Sequence, residues 1–135
     1  GLGENIMLGT DGMHSDMLQS ARAAFFVGQR HDNITYESAY QRFRNVHRYL
    51  SDNGFEGDGD NNLVILNYDS PTPVSRENFF GHFLFGITSN HITDVISNGK
   101  LVMKDKKITT VDENEILGES RQQAERLWSK MQQNS

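Results

Sequence analysis

Ile6-Met7-Leu8-Gly9-Thr10-Asp11-Gly12 is the stretch on which the fold turns: three apolar residues of strand type run into a short loop that holds a carboxylate between two glycines. Downstream, Met13, Met17, Ala21, Ala24 and Phe25 recur at helical spacing and share one face, so the segment predicts strand, loop, helix. Ser15 or Asp16 can cap the helix start, where a side-chain oxygen accepts an unpaired backbone N–H, and Gly28 is placed to stop it. In parallel α/β folds a carboxylate just past the end of a buried strand lies at the functional pole, because the loops after the strand ends converge there around one pocket. By spacing alone, a short acid between two glycines is more often a turn or cap residue.

Working outward, a second helix is predicted after Thr35, with Tyr36, Ala39, Tyr40, Phe43, Val46 and Leu50 as its apolar stripe and Asn53-Gly54 at its end. The glycine, aspartate and asparagine content of 55–62 marks a boundary of turns. Leu63-Val64-Ile65-Leu66 has the length and composition of a strand, and Pro71 and Pro73 exclude a regular ladder or helix just beyond it. Phe79, Phe80, Phe83 and Leu84 fit a short helix, although so aromatic a stretch also suits a strand. Asn98-Gly99 between Val95-Ile96-Ser97 and Lys100-Leu101-Val102 predicts a tight hairpin, which two strands cannot stabilise alone; it must pair with 63–68 or with strands outside this chain. Asp112 opens a last helix, with Glu115 three residues on as in a capping box and Val111 able to staple onto Ile116. Its expected buried face is Ile116, Leu117, Ala124, Leu127, Trp128 and Met131.

Composition narrows the function. The 135 residues are 36% apolar, enough for a hydrophobic core. A net charge of −5 and an isoelectric point near 5.4 argue against a nucleic-acid surface. Arg42, Arg44 and Arg48 are read as the solvated side of the second helix. Absence of cysteine excludes disulfides, thiolate metal sites and a cysteine nucleophile, and fits a reducing compartment. Apolar runs such as 79–87 are too short to span a bilayer, so no membrane partner is expected and a cytoplasmic location is the default. Gly1 is not a natural start, and a chain opening into Ile6-Met7-Leu8 looks cut from a longer one.

Leu8-Gly9-Thr10-Asp11-Gly12, followed by Ser15-Asp16-Met17 and Ala23-Ala24-Phe25-Phe26, resembles the last strand, loop and helix of the barrel of the amidohydrolase superfamily. Further along, Leu63-Val64-Ile65-Leu66-Asn67-Tyr68, Ser70-Pro71-Thr72-Pro73, Asn78, Gly81-His82, Phe85-Gly86, Asn98-Gly99-Lys100, Val102, Val111-Asp112 and Leu127-Trp128 resemble the C-terminal segment of its aminohydrolase or chlorohydrolase branch, the SsnA type. Nearly the whole chain is covered in order, with 28–62 poorly matched. One departure is Asn61-Asn62-Leu63, where that family usually has Ala-Asp-Leu, so a carboxylate at the strand entry is missing.

The resemblance implies a mixed α/β and β architecture: the final strand and helices of a (β/α)8 TIM barrel in 1–54, the C-terminal part of a small composite β-sandwich in 55–111, and a helix in 112–135 that packs back on the barrel. It implies one divalent metal ion, zinc or iron, held by histidines after earlier strands and by an aspartate after the eighth, and Asp11 matches that ligand. Beside a water polarised by such a cation, a carboxylate can orient the water and accept its proton. The implied reaction is hydrolytic deamination, or related hydrolysis of a C–N or C–Cl bond, on a small-molecule N-heterocycle. A catalytic metal site needs about three protein ligands, so this chain alone is expected to be inactive. Missing strands would leave exposed edges and apolar faces, which predicts self-association and a homo-oligomer.

Other candidates are weaker. His14 and Met13 sit on the Asp11 loop, where they are either substrate-facing or solvated. His14, His31, His47, His82 and His91 lack the spacing of a helical or hairpin metal site. Asp58 to Asn62 has a superficial likeness to a calcium loop, but Leu63 stands where glycine is needed and Asp69 where a bidentate glutamate is needed; a polar turn is the better reading. Phe79, Phe80, Phe83 and Phe85 lack interleaved basic residues and read as core. The rival from another class is a non-catalytic binding or structural module, or a degenerate family member, in which Asp11 is a turn residue.

Overall fold

A computed structural model of the chain describes residues 5–31, 33–55 and 61–133. Two helices come first, α1 (Met17–Gly28) and α2 (Tyr36–Asp52). Strand β1 (Leu63–Leu66) follows, then a helical segment made of α3 (Phe79–Gly81) and a wider π turn (His82–Gly86). A 3-10 turn (Ser89–His91) leads into β2 (Ile92–Ser97), β3 (Lys100–Lys104) and β4 (Lys107–Ile108), and α4 (Glu113–Gln133) ends the described chain. The result is a mixed helix and sheet protein whose strands form one antiparallel sheet in the order β1-β2-β3-β4.

Both N-terminal helices start as their sequences dictate. Of the two candidate caps, Asp16 is the one used: its Oδ1 accepts the Gln19 N–H at 3.0 Å. At α2, Thr35 and Ser38 exchange side-chain and backbone bonds in a capping box, satisfying two of the orphan donors of the first turn. Between the helices lies the core: Ala21, Phe25, Ile34, Ala39, Phe83 and Leu84 are buried, with Leu8, Leu18, Tyr40, Phe43 and Phe79 packed against them. Tyr40 meets Phe79 and Phe83 edge-on at ring separations of 5.4 and 5.0 Å, and Phe85 reaches Phe25 and Tyr36 at 5.9 and 5.4 Å. Of the two states open to it the aromatic stretch takes the helical one, and of the four phenylalanines read as core Phe83 is buried, Phe79 and Phe80 are partly buried and Phe85 is half exposed. Its last turn is one residue wider, with Ile87 N–H donating to His82 O at 2.8 Å, and Phe83 and Leu84 in it are both buried.

The hairpin forms on Asn98-Gly99, whose φ values of 49° and 72° are the left-handed pair a two-residue turn needs. It pairs with 63–66, as required for stability, through Leu63↔Ile96 and Val64↔Val95. Asn62, standing where the resembled family has aspartate, accepts the Asn98 N–H on Oδ1 at 2.7 Å; an amide oxygen supplies the acceptor that a carboxylate would have supplied. The fourth strand was not foreseen. Asp105 and Lys106 turn the chain with φ of 47° and 64°, without the glycine that marks such turns in sequence.

Four expectations are not met among the described residues. Ile6-Met7-Leu8 forms no ladder: it runs beside α2, held where Asn45 Nδ2 donates to Ile6 O at 2.8 Å, with Ile6 and Leu8 half-buried and Met7 exposed. The period-two alternation of a strand is present, but the described residues offer no parallel neighbour to pair with it. The apolar face of α4 is uncovered, Ile116, Leu117, Leu127, Trp128 and Met131 all lying about half exposed, and no residue of α4 is buried. Its start is capped by Asp112, whose Oδ1 accepts the Asn114 and Glu115 N–H groups, whereas Glu113 rather than Glu115 reaches back, accepting the Ile108 N–H. Val111 and Ile116 remain half exposed rather than sealed as a staple. The polar turn read at 55–62, with its calcium-like stretch, falls largely outside the described residues.

Gly86 faces the Tyr68 ring so closely that an added Cβ would overlap the tyrosine hydroxyl. Gly86→Ala is expected to lower unfolding free energy by about 1–3 kcal/mol, the usual cost of overpacking. Tyr68→Phe in the same background should return part of that loss, both readable from denaturant midpoints.

Candidate functional site

Residues 9–16 join the extended Ile6–Leu8 segment to the N-terminus of α1. The Met13 N–H donates to Thr10 O at 3.3 Å, closing a turn in which Asp11 takes a left-handed φ of 51°. Ser15 repeats that conformation at 52°. For a residue with a Cβ the left-handed region costs about 1–2 kcal/mol, so two such residues within five make a loop whose shape is held against local preference.

The Asp11 carboxylate is exposed, and its Oδ1 accepts the neighbouring Gly12 N–H at 2.6 Å. A carboxylate oxygen can ligate zinc or iron where imidazoles complete the set, and Oδ2 keeps acceptor capacity. Among the described residues no three His, Cys, Asp or Glu side chains come together as a metal site. A concavity of about 320 Å³ is lined by Met7, Asn45, Arg48, Tyr49 and Asp52, and Asp11 is not part of its lining.

Of the other two predicted residues, Met13 is 83% exposed, and His14 is exposed with its ring engaged in the loop. The Asp16 N–H donates to His14 Nδ1 at 3.1 Å, which leaves Nε2 to carry the proton of the neutral ring. The structure thus brings Asp11, Met13 and His14 onto one exposed loop.

Asp16 does more than cap. Its Oδ2 accepts the Ser89 hydroxyl at 2.8 Å, a bond across 73 residues of chain. Partial burial pushes its carboxyl up, but the Gln19 N–H, the Ser89 hydroxyl, the Leu18 N–H and the nearby His14 outweigh that, and the net position lies below the ordinary value of 3.8. Six residues along α1, Arg22 donates from Nε to Leu84 O at 2.7 Å and from Nη2 to Ile87 O at 3.1 Å. Helix α1 thus grips the segment 84–89 at two points. A second network was also unread in sequence: His82 Nδ1 lies 2.9 Å from the Tyr68 hydroxyl and Nε2 lies 3.2 Å from Thr72 Oγ1, tying the proline strap to the helical turn. Gly81-His82 and the Ser70–Pro73 strap were conspicuous singly; their contact had no local signal.

Comparison with known proteins gives these residues a context. The chain is 28% identical over 147 aligned positions to the 5-methylthioadenosine/S-adenosylhomocysteine deaminase of Desulforamulus reducens, covering 96% of this chain and 33% of that protein. It is 26% identical to the deaminase of the same name from Syntrophomonas wolfei, covering 93% of this chain and 32% of that protein. A 5'-deoxyadenosine deaminase of Methanocaldococcus jannaschii is 33% identical over 67 residues, half of this chain and 16% of that protein. No family model matches the chain. No solved structure matches it either. The relatives that cover most of this chain, at low identity, are deaminases named for adenosine derivatives, and the chain spans about a third of their length.

Because the Asp16 carboxyl sits below its ordinary value, its contribution to folding is complete above pH 3.8 and is lost as the pH falls through the lowered value. The Gln19 amide should lose exchange protection over that acid range, and in Asp16→Asn this acid-dependent component should vanish.

Proposed function

We propose that this chain is the C-terminal part of a metal-dependent deaminase that hydrolyses the exocyclic C–N bond of an aminated N-heterocycle, an adenine nucleoside altered at its 5' position being the favoured substrate. One observation carries the reading: Asp11 stands in a strained loop between an extended apolar segment and the cap of α1, in a chain that deaminases for adenosine derivatives match almost end to end. The extended segment with alternating burial supports its reading as a barrel strand whose neighbours belong to the rest of the protein. On this reading 1–54 close a (β/α)8 barrel, 55–111 contribute a four-stranded sheet to a β-sandwich, and 112–135 lay the open face of α4 against the barrel.

A divalent zinc or iron ion, when bound, would lower the pKa of a nearby water toward neutrality. Asp11 is the ligand from this chain and the group that orients the attacking water and takes its proton on the oxygen not engaged by Gly12. Met13 and His14 would border the substrate, His14 offering Nε2–H as a donor. The remaining ligands and the acid for the leaving ammonia lie outside this chain, so the chain alone does not turn over substrate. The acidic charge fits a small-molecule enzyme rather than a nucleic-acid partner, and no described helix is long and apolar enough to cross a membrane. A cytoplasmic setting is the corresponding proposal.

In the full-length protein Asp11→Ala should lower ammonia release from 5'-modified adenosines by about 10²–10⁴-fold, the range of a lost general base, and reduce bound metal in elemental analysis. Undiminished release would remove Asp11 from the mechanism and favour the non-catalytic reading. The uncovered face of α4 and the outer edge of β1 also make a homo-oligomer the expected state. This chain alone should sediment above 15.3 kDa, and Leu127→Glu with Trp128→Glu should return it to the monomer.

A further inference from the structure

We infer that Ser89 is a positioning residue for the Asp11 loop, acting through Asp16, so that the turn before β2 sets the aim of the candidate catalytic carboxylate. This rests on the proposed deaminase reading and adds to it a residue far from Asp11 in sequence. Asp11 touches its surroundings through the neighbouring Gly12 N–H, so its direction is inherited from the backbone of 9–16. That backbone is strained at both Asp11 and Ser15 and needs an external hold.

The holds are visible at either end. Ser20 Oγ reaches Gly9 O at 3.5 Å, a long contact within reach of α1 itself. At the other end the Asp16 N–H fixes His14 Nδ1, while Asp16 Oδ2 takes the Ser89 hydroxyl at 2.8 Å. A charge-assisted bond of that length is stronger than a neutral one. Ser89 is itself held in place: it opens a 3-10 turn in which the Thr88 N–H donates to His91 Nδ1 at 2.9 Å and the His91 N–H to Thr88 O at 3.0 Å. Arg22, bound to Leu84 O and Ile87 O, keeps that turn against α1 even when the serine is altered. Loss of the Ser89 hydroxyl therefore frees the loop without undocking the segment.

The test uses full-length protein carrying Ser89→Ala or Ser89→Thr, with amide hydrogen exchange and steady-state ammonia release from a 5'-modified adenosine. Ser89→Ala should speed exchange several-fold at Gly12 to Asp16, leave Ala21 to Phe25 unchanged, and lower kcat about tenfold with KM within about twofold, in keeping with the cost of misplacing a reacting group. Ser89→Thr, which keeps the hydroxyl, should restore both readouts. Unchanged exchange at Gly12 to Asp16 in Ser89→Ala overturns the inference, and so does faster exchange with an unaltered kcat. Exchange that responds as expected in a protein releasing no ammonia sustains the loop coupling and overturns the deaminase reading instead.

Discussion

The structure depends on the seam where the rings of 79–85 enter the angle between α1 and α2. Phe83 and Leu84, the latter 1% exposed, are buried there against Ala21, Phe25 and Ala39. Fully burying a side chain of this size contributes roughly 1.5–3 kcal/mol, and here the buried pair comes from a segment more than thirty residues beyond α2. Without that seam nothing in the described residues would hold the sheet to the helices beyond a few polar bonds. With it, β2 is launched from a fixed point, and the sheet follows by pairing to β1 on one side and β3 on the other.

Arg22 adds direction to the seam. Apolar packing is nearly isotropic, whereas two guanidinium bonds to Leu84 O and Ile87 O define how the end of the helical turn lies on α1. They also satisfy carbonyls that the widened turn leaves open at its end. Asp16, on the same helix, then meets Ser89 just beyond. One helix thus binds the aromatic segment, the turn before the sheet and the Asp11 loop, which is why a loop with two left-handed residues keeps its shape on a small structure.

How much of this was legible in the sequence follows the range of each interaction. Caps and turns are local: Thr35, Asp16 and Asn98-Gly99 state their roles within four residues, and each does what its chemistry allows. The α2 stripe was equally plain, although Asn45, 2% exposed within it, was not, since its amide is satisfied by Gln41 and by Ile6 O nearly forty residues away. The turn at Asp105-Lys106 escaped because lysine, unlike the glycine that commonly follows aspartate in such turns, does not advertise a positive φ. Asp11 was legible as a candidate because a carboxylate between two glycines after an apolar run is a local pattern. Ser89 was not, because the partner that gives it meaning lies 73 residues earlier.

The same distinction bears on Ile6–Leu8 and α4, where sequence and structure part. A strand is a strand only when a neighbour supplies its ladder, and a helix buries its stripe only when another surface is present to receive it. Both segments keep the internal signature of their expected state: side chains alternate in burial along 6–8, and α4 holds 21 residues of helix with its apolar side intact. What differs is the receiving surface. Isolated helices are marginal in water and draw most of their stability from packing an apolar face. Trp128, 61% exposed beside Leu127, is therefore part of an apolar face that no surface among the described residues receives, in a chain that spans about a third of the length of the relatives that cover most of it.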